Sequence, residues 1–255
     1  MSASTTRGFG IDIGGSGIKG CTVDLEKGVL DTERLRIPTP QPSTPDAVAD
    51  VVAQVVEKFN WDGPIGVTLP CVIKQGVALT AANVDHGWTN TDAAALFAKR
   101  LGKPTGQLTV LNDADAAGMA EIRYGDPHDH SGTVVLLTFG TGIGSAVFLD
   151  GKLVPNTEFG HLEVDGHDAE KRAAASVKDE KELSWDEWTH RVSKYLRTLE
   201  DLIWPDLVIV GGGISKKSEK WLPLLKVRTK VVAATLHNDA GIVGAAAAAT
   251  HGIQH

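Results

Sequence analysis

Short apolar runs alternate along the chain with longer stretches of helical spacing. Phe9 to Ile13 is an apolar run that stops at glycines, and Ile18 to Leu25 resumes it, which predicts two strands joined by a glycine hairpin turn. Thr44 and Pro45 open a helix as N-cap and first helical residue. Val48, Val51, Val52, Val55, Val56 and Phe59 follow at the spacing of one buried helical face. Pro64 to Leu69 reads as a strand, Thr91 as the cap of a helix through Leu101, Leu108 to Leu111 as a strand and Asp113 to Tyr124 as a helix. The pattern breaks around Gly125 to Gly132, and then the opening device returns as strand Thr133 to Thr138, a glycine turn and strand Gly144 to Leu149. Helices over Ala169 to Val177 and Trp185 to Ile203 follow. Strand Leu207 to Val210 then runs into Gly211-Gly212-Gly213, with a helix from about Ser215 and a last one over Ala240 to Thr250.

A strand–glycine turn–strand device used twice, each time followed by mixed α and β, predicts two related α/β lobes with a cleft between them. The expected division is a small lobe over 1–112, joined by the C-terminal helix 240–252, and a larger lobe over 113–239. A length of 255 residues suits one large or two modest domains, and 42% hydrophobic with 22% charged residues is ordinary for a globular protein. The net charge of −7 argues against a duplex nucleic-acid partner, while leaving room for a polyanion held by a few local cations. Cys21 and Cys71 are too few for a disulfide framework or a cysteine-rich zinc site, and they suit a reducing cytoplasm. Met1 to Gly8 has one arginine and no apolar core, so no signal peptide is expected. No apolar run reaches the roughly 18 residues of a membrane span.

Gly15-Ser16-Gly17-Ile18-Lys19-Gly20 has the letters of a dinucleotide fingerprint, but a strand follows the glycines where that motif needs a helix. The alternative is a phosphate-gripping hairpin, in which Gly14, Gly15, Ser16 and Gly17 let backbone N–H groups approach a phosphate. Asp12 then holds Mg²⁺ through water or orients the phosphate, and Lys19 counters its charge. Gly140, Thr141 and Gly142 stand at the second hairpin. Gly212 and Gly213 lie between a strand and an expected helix, a natural anion site, with Lys216 and Lys217 just beyond. Arg228 and Lys230 are further cations for an extended anion. Asn83, Asn112, Asp113, Glu158, His161 and Glu170 are donors and acceptors of the kind that ring hydroxyls require. Each has a plainer alternative: a glycine hairpin, a helix cap at Asn112-Asp113, a core histidine at 161, a core anchor at Trp88. Spacing alone thus reaches phosphate plus a polar small molecule.

Together these motifs resemble the ROK family of sugar kinases, within the actin-like phosphotransferase superfamily, from about Phe9 to about Thr250. The matching elements are Asp12-Ile13-Gly14-Gly15-Ser16-Gly17-Ile18-Lys19-Gly20, Asn112-Asp113-Ala114, Gly140-Thr141-Gly142-Ile143-Gly144 and Glu158-x-Gly160-His161. The resemblance implies an α/β, actin-like (ribonuclease H-like) two-lobed fold. It implies Asp113 as catalytic base, the polar set above as sugar-binding residues, and Thr138 with the glycine loops around the donor phosphates. Most members follow Glu-x-Gly-His with a cysteine-rich zinc module, whereas here no cysteine lies beyond Cys71. Glu170 is then the sugar-binding glutamate reached by a shortened loop, and no zinc is expected. This version resembles the branch that phosphorylates glucose from inorganic polyphosphate, some members of which also use ATP or accept mannose. The implied cofactor is Mg²⁺ with the donor, and the implied assembly a homodimer. Trp185, Trp188 and Tyr195 serve either an interface or the core. With eleven residues before Asp12, a sugar-sensing regulator with its DNA-binding domain is disfavoured.

Overall fold

The computed structural model describes residues 6–81, 84–126 and 130–251. The chain forms two compact units, one from the residues up to Tyr124 together with those from Asp239 onward, the other from Gly125 to Asn238. Both follow one plan. In the first, Arg7–Gly14 turns back antiparallel into Gly17–Asp24, and Ile65–Leu69 and then Leu108–Asn112 add in parallel on the other side. In the second, Thr133–Phe139 and Ile143–Leu149 form the hairpin, with Leu207–Gly211 and Lys230–Ala233 added in parallel. A short strand flanks each hairpin: Leu35–Ile37 beside Gly17–Asp24, and Lys152–Val154 beside Ile143–Leu149. The parallel strands need long crossovers, which helices supply.

Several helices start where side chains can satisfy their first N–H groups. Thr44 caps Pro45–Phe59 through Ala47 N–H. The next helix, Ala93–Leu101, is capped by Asp92 rather than Thr91: the Asp92 carboxylate accepts from Ala95 N–H at 2.8 Å, while the Thr91 hydroxyl donates to Gly87 O. Ser184 and Glu187 cap Trp185–Ile203 reciprocally. The helix expected over Ala169 to Val177 is two, Glu170–Ala173 and Ala175–Glu180, broken where Ala174 turns extended (φ −57°, ψ 156°). The segment after the third glycine loop, Gly213–Lys220, is a 3₁₀ helix kinked at Lys217 rather than an α-helix. Ser215 tightens it by bonding back to Gly212 O through both its N–H and its hydroxyl.

The core of the second unit surrounds Phe139, which meets Trp188, Tyr195 and Trp221 edge-on at 5.9, 6.4 and 6.1 Å between ring centres. Such pairs add about 0.5–1.5 kcal/mol each beyond their burial. Trp188 and Tyr195 are fully buried there, and Trp185 packs on Trp188, so packing accounts for this aromatic spacing and the interface reading gives way. Trp88 is likewise a core anchor, its indole N–H bonded to Ser43 O at 3.0 Å.

The last helix, Ala240–His251, is built almost wholly of alanine, glycine, valine and isoleucine and is buried through most of its length. It lies against the first unit's central strands and against helix Asp113–Tyr124, so closely that a Cβ on Gly66 would strike the Ala245 carbonyl and one on Gly244 the Ala116 carbonyl. This packing corrects the expected boundary. Leu111, Ala116, Ala245 and Ala248 share one apolar cluster, and the Tyr124 hydroxyl donates to Leu25 O, so 113–124 belongs to the first unit and that unit is the larger. Among the described residues no helix is long and apolar enough to cross a membrane.

Candidate active site

In the first unit, strand pairing sets four polar residues side by side. Asp12 lies opposite Lys19, Lys19 opposite Arg36, and Asp12 beside Thr68. Residues directly paired across strands share a face, so the row reads Arg36–Lys19–Asp12–Thr68. Lys19 Nζ is 3.0 Å from one Asp12 oxygen, and the Thr68 hydroxyl donates to the other at 3.0 Å. The row stands just behind the Gly15-Ser16 turn, where Gly14 pairs with Gly17. Arg36 reaches over that turn and donates to Ser16 O at 2.9 Å, and the Thr39 hydroxyl donates to Gly14 O at 2.5 Å. Arg36, Thr39 and Thr68 escaped the sequence reading.

Asn112 ends a central strand of the first unit and Asp113 begins the helix after it. Asn112 is buried; its Oδ1 accepts from Ala114 and Asp115 N–H at 2.8 and 3.1 Å, and its amide donates to Cys71 O at 3.1 Å. It therefore does the work of a helix cap, the plainer of its two readings, with one amide N–H beyond the Cys71 bond. Asp113 is half-buried, and its Oδ1 also accepts from Ala114 N–H at 2.8 Å. Asn83 lies outside the described residues.

In the second unit the same register level carries different chemistry. Thr138, which stands two residues before its glycine turn as Asp12 does before the first, pairs with Gly144 on one side and Gly211 on the other. The two glycines leave the hydroxyl without side-chain neighbours in its row. The Gly140–Gly142 turn is closed by Gly140 N–H to Gly142 O at 3.0 Å and braced from Ser176, whose N–H bonds Gly140 O and whose hydroxyl bonds Thr141 O. Gly212 takes a positive φ of 80° at the third loop. Lys216 and Lys217 are exposed and form no ion pair among the described residues, whereas Arg228 is engaged with Asp201 and stacked on Trp204. The expected α-helix N-terminus behind Gly213 is the 3₁₀ segment, so no α-helix dipole points at this loop.

Phe159–His161 is a single 3₁₀ turn docked on the second hairpin through Phe159 N–H to Ser145 Oγ at 2.9 Å. It carries Glu158 and His161 toward Glu170. His161 Nδ1 lies 3.2 Å from Asp168 and 3.9 Å from Glu170, and Nε2 lies 4.0 Å from Glu158. The other Glu170 oxygen accepts from Ile143 N–H at 3.2 Å and lies directly over Gly142, so this carboxylate links the Glu158/His161 group to the second glycine loop. Asp168 is the member that the sequence reading missed. Burial pushes the Glu158 carboxyl up, with Glu170 adding to the rise and His161 opposing it. For His161 burial pulls down, but the bond to Asp168 and the charges of Glu170, Asp168 and Glu158 outweigh it and the net shift is upward.

A raised histidine value means that the protonated form favours the fold. That contribution is fully present below pH 6.5 and disappears as pH rises through the higher folded value. Half-exposure of the ring keeps it small. NMR titration should place His161 above 6.5 in the parent protein, and Asp168→Asn should bring it down.

His161, Asp168 and Glu170 each offer a ligand atom within 4.8 Å of one another. Three N/O donors fall short of the closed four-ligand set of a structural zinc site, and Glu170 is partly committed to Ile143. Asp12 suits Mg²⁺ held mainly by donor phosphates: it is a single carboxylate, partly exposed, beside a glycine turn.

Two units built on one hairpin-first plan, each ending in glycine turns beside carboxylates and hydroxyls, define a phosphotransferase of the actin-like class. The chain belongs to the ROK family, whose model matches residues 8–175. It is 56% identical over 254 residues to the polyphosphate glucokinase of Mycobacterium tuberculosis (strain CDC 1551 / Oshkosh), covering 99% of this chain and 95% of that one. The crystal structure of the inorganic polyphosphate/ATP-glucomannokinase from Arthrobacter sp. strain KM matches with a TM-score of 0.92 and 52% identity, over 97% of this chain and 100% of that chain. A ROK family glucokinase from Streptomyces griseus, solved with glucose and AMPPNP, shares the fold with a TM-score of 0.80 at 24% identity, over 94% and 98% of the two chains.

Proposed function

We propose that this protein is a polyphosphate-dependent glucokinase, moving the terminal phosphoryl group of inorganic polyphosphate to the 6-hydroxyl of glucose. The observation that carries this reading is the full-length likeness to proteins with that activity. The sugar 6-oxygen attacks the terminal phosphorus while Asp113 takes its proton. The bridging P–O bond breaks, and its electrons leave with the shortened polyphosphate chain. Glu158, His161 and Glu170 hold ring hydroxyls, joined by Asn83 and by the remaining amide N–H of Asn112. With Nδ1–H directed to Asp168, His161 turns Nε2 toward the ring hydroxyls. Gly14–Gly17, Gly140–Gly142, Thr138, Gly212, Gly213, Lys19, Lys216 and Lys217 hold the donor. When bound, Mg²⁺ neutralises phosphate charge, and Asp12 is the residue that would hold it. Catalysis of this kind is mostly positioning and charge stabilisation. A cytoplasmic setting and a homodimer belong to the same reading.

The Arthrobacter relative supports a second reading in which ATP and mannose are also used. A coupled assay for the sugar 6-phosphate separates the two. Polyphosphate with glucose should be the fastest pairing, with ATP or mannose slower; transfer from neither donor to either sugar overturns both readings.

A further inference from the structure

We propose, on the phosphotransferase reading above, that Arg36 is a donor-binding residue whose guanidinium grips phosphates behind the one transferred and thereby favours a long polyphosphate over ATP. Its strand puts it directly opposite Lys19, two cations on one face. Like charges directly opposite destabilise a sheet. Lys19 is answered by Asp12. Arg36 has no carboxylate within ion-pair distance among the described residues; its side chain bonds the Ser16 carbonyl instead. An anion from outside would relieve this arrangement.

The guanidinium is also aimed. One nitrogen donates to Ser16 O at 2.9 Å, and a Cβ on Gly17 would stand 2.7 Å from Arg36 Nε, so the fork lies against the turn where only glycine leaves room. The other N–H groups remain for a ligand, in the planar geometry that suits phosphate oxygens. Arg36 and Thr39 together engage the Ser16 and Gly14 carbonyls, two dipoles that would otherwise repel an anion at this turn. The Arg36 strand lies two strands from that of Asp12, which carries the cationic row about 10 Å across the sheet. A linear polyanion that starts at Asp12 and runs along this row reaches Arg36 with a phosphate distant from the reacting one.

Arg36→Ala should raise the KM for polyphosphate about 10–100-fold, the worth of a charge-assisted bond. The KM for ATP should rise less, kcat should stay within about threefold, and the KM for glucose and the melting temperature should be unchanged. Arg36→Lys, which keeps the charge and loses the fork, should recover part of the loss. Calorimetric titration with polyphosphate, without sugar, should show a shallower salt dependence for Arg36→Ala than for the parent, by about 0.7–0.9 in the log–log slope per lost contact. An active parent enzyme with an unaffected Arg36→Ala variant overturns the role of Arg36 alone. Equal losses with both donors, or a fallen melting temperature with a raised glucose KM, also overturn it. A parent protein that transfers from neither donor overturns this role together with the kinase reading.

Discussion

Asp113→Asn should lose about 10²–10⁴ of its turnover, the usual worth of a general base, while glucose binding stays within a few-fold of the parent. The substitution is nearly isosteric, and the new amide oxygen can still accept from Ala114 N–H, the 2.8 Å bond that Asp113 makes now. The cap on this helix comes from Asn112, which is untouched, so the fold should survive. What disappears is a group able to take the sugar proton. Single-turnover kinetics alongside glucose titration separate the two effects, and near-normal turnover would remove Asp113 from the mechanism. Asp113→Glu should also be slow, because the longer side chain misplaces the oxygen while keeping its basicity.

The largest stability effect should come from alanine at Gly66 or Gly244. Each added methyl group would drive into a main-chain carbonyl, at Ala245 and Ala116 respectively, and neither carbonyl can swing aside without moving a helix. Overpacking of a tight core typically costs about 1–3 kcal/mol; a backbone clash belongs at or above the top of that range. Urea unfolding should show both midpoints well below the parent's. Gly106→Ala is the control, since a Cβ there meets nothing within 4 Å. An unshifted midpoint in Gly66→Ala would mean that the last helix does not pack as described.

Both hairpins were legible because short apolar runs interrupted by glycine have few other readings. The Asp113–Tyr124 helix was read to the residue. Strands of two to four residues were not: Leu35–Ile37 and Lys230–Ala233 are too short to show a period, so Lys230 was noted for its charge alone. Ala174 breaks a helix without glycine or proline, because its surroundings rather than its own preference turn it extended. The site divides in the same way. Asp12, Lys19, Glu158 and His161 stand within contiguous motifs and could be proposed from the chain. Arg36 and Thr68 come beside Lys19 and Asp12 only through strand pairing, and Asp168 beside His161 only through a tertiary hydrogen bond, and nothing local marks them.

The helix Ala240–His251 follows Gly125–Asn238 along the chain, yet it completes the core of the unit that holds the first hairpin. Gly125–Asn238 is continuous and can close on itself during translation. The first hairpin, with Asp12, Lys19 and Arg36, must wait with its strands uncovered on one face until that late helix arrives. Since domains generally fold as units while being made, the nascent chain gains its Glu158/His161 unit before the first hairpin is covered.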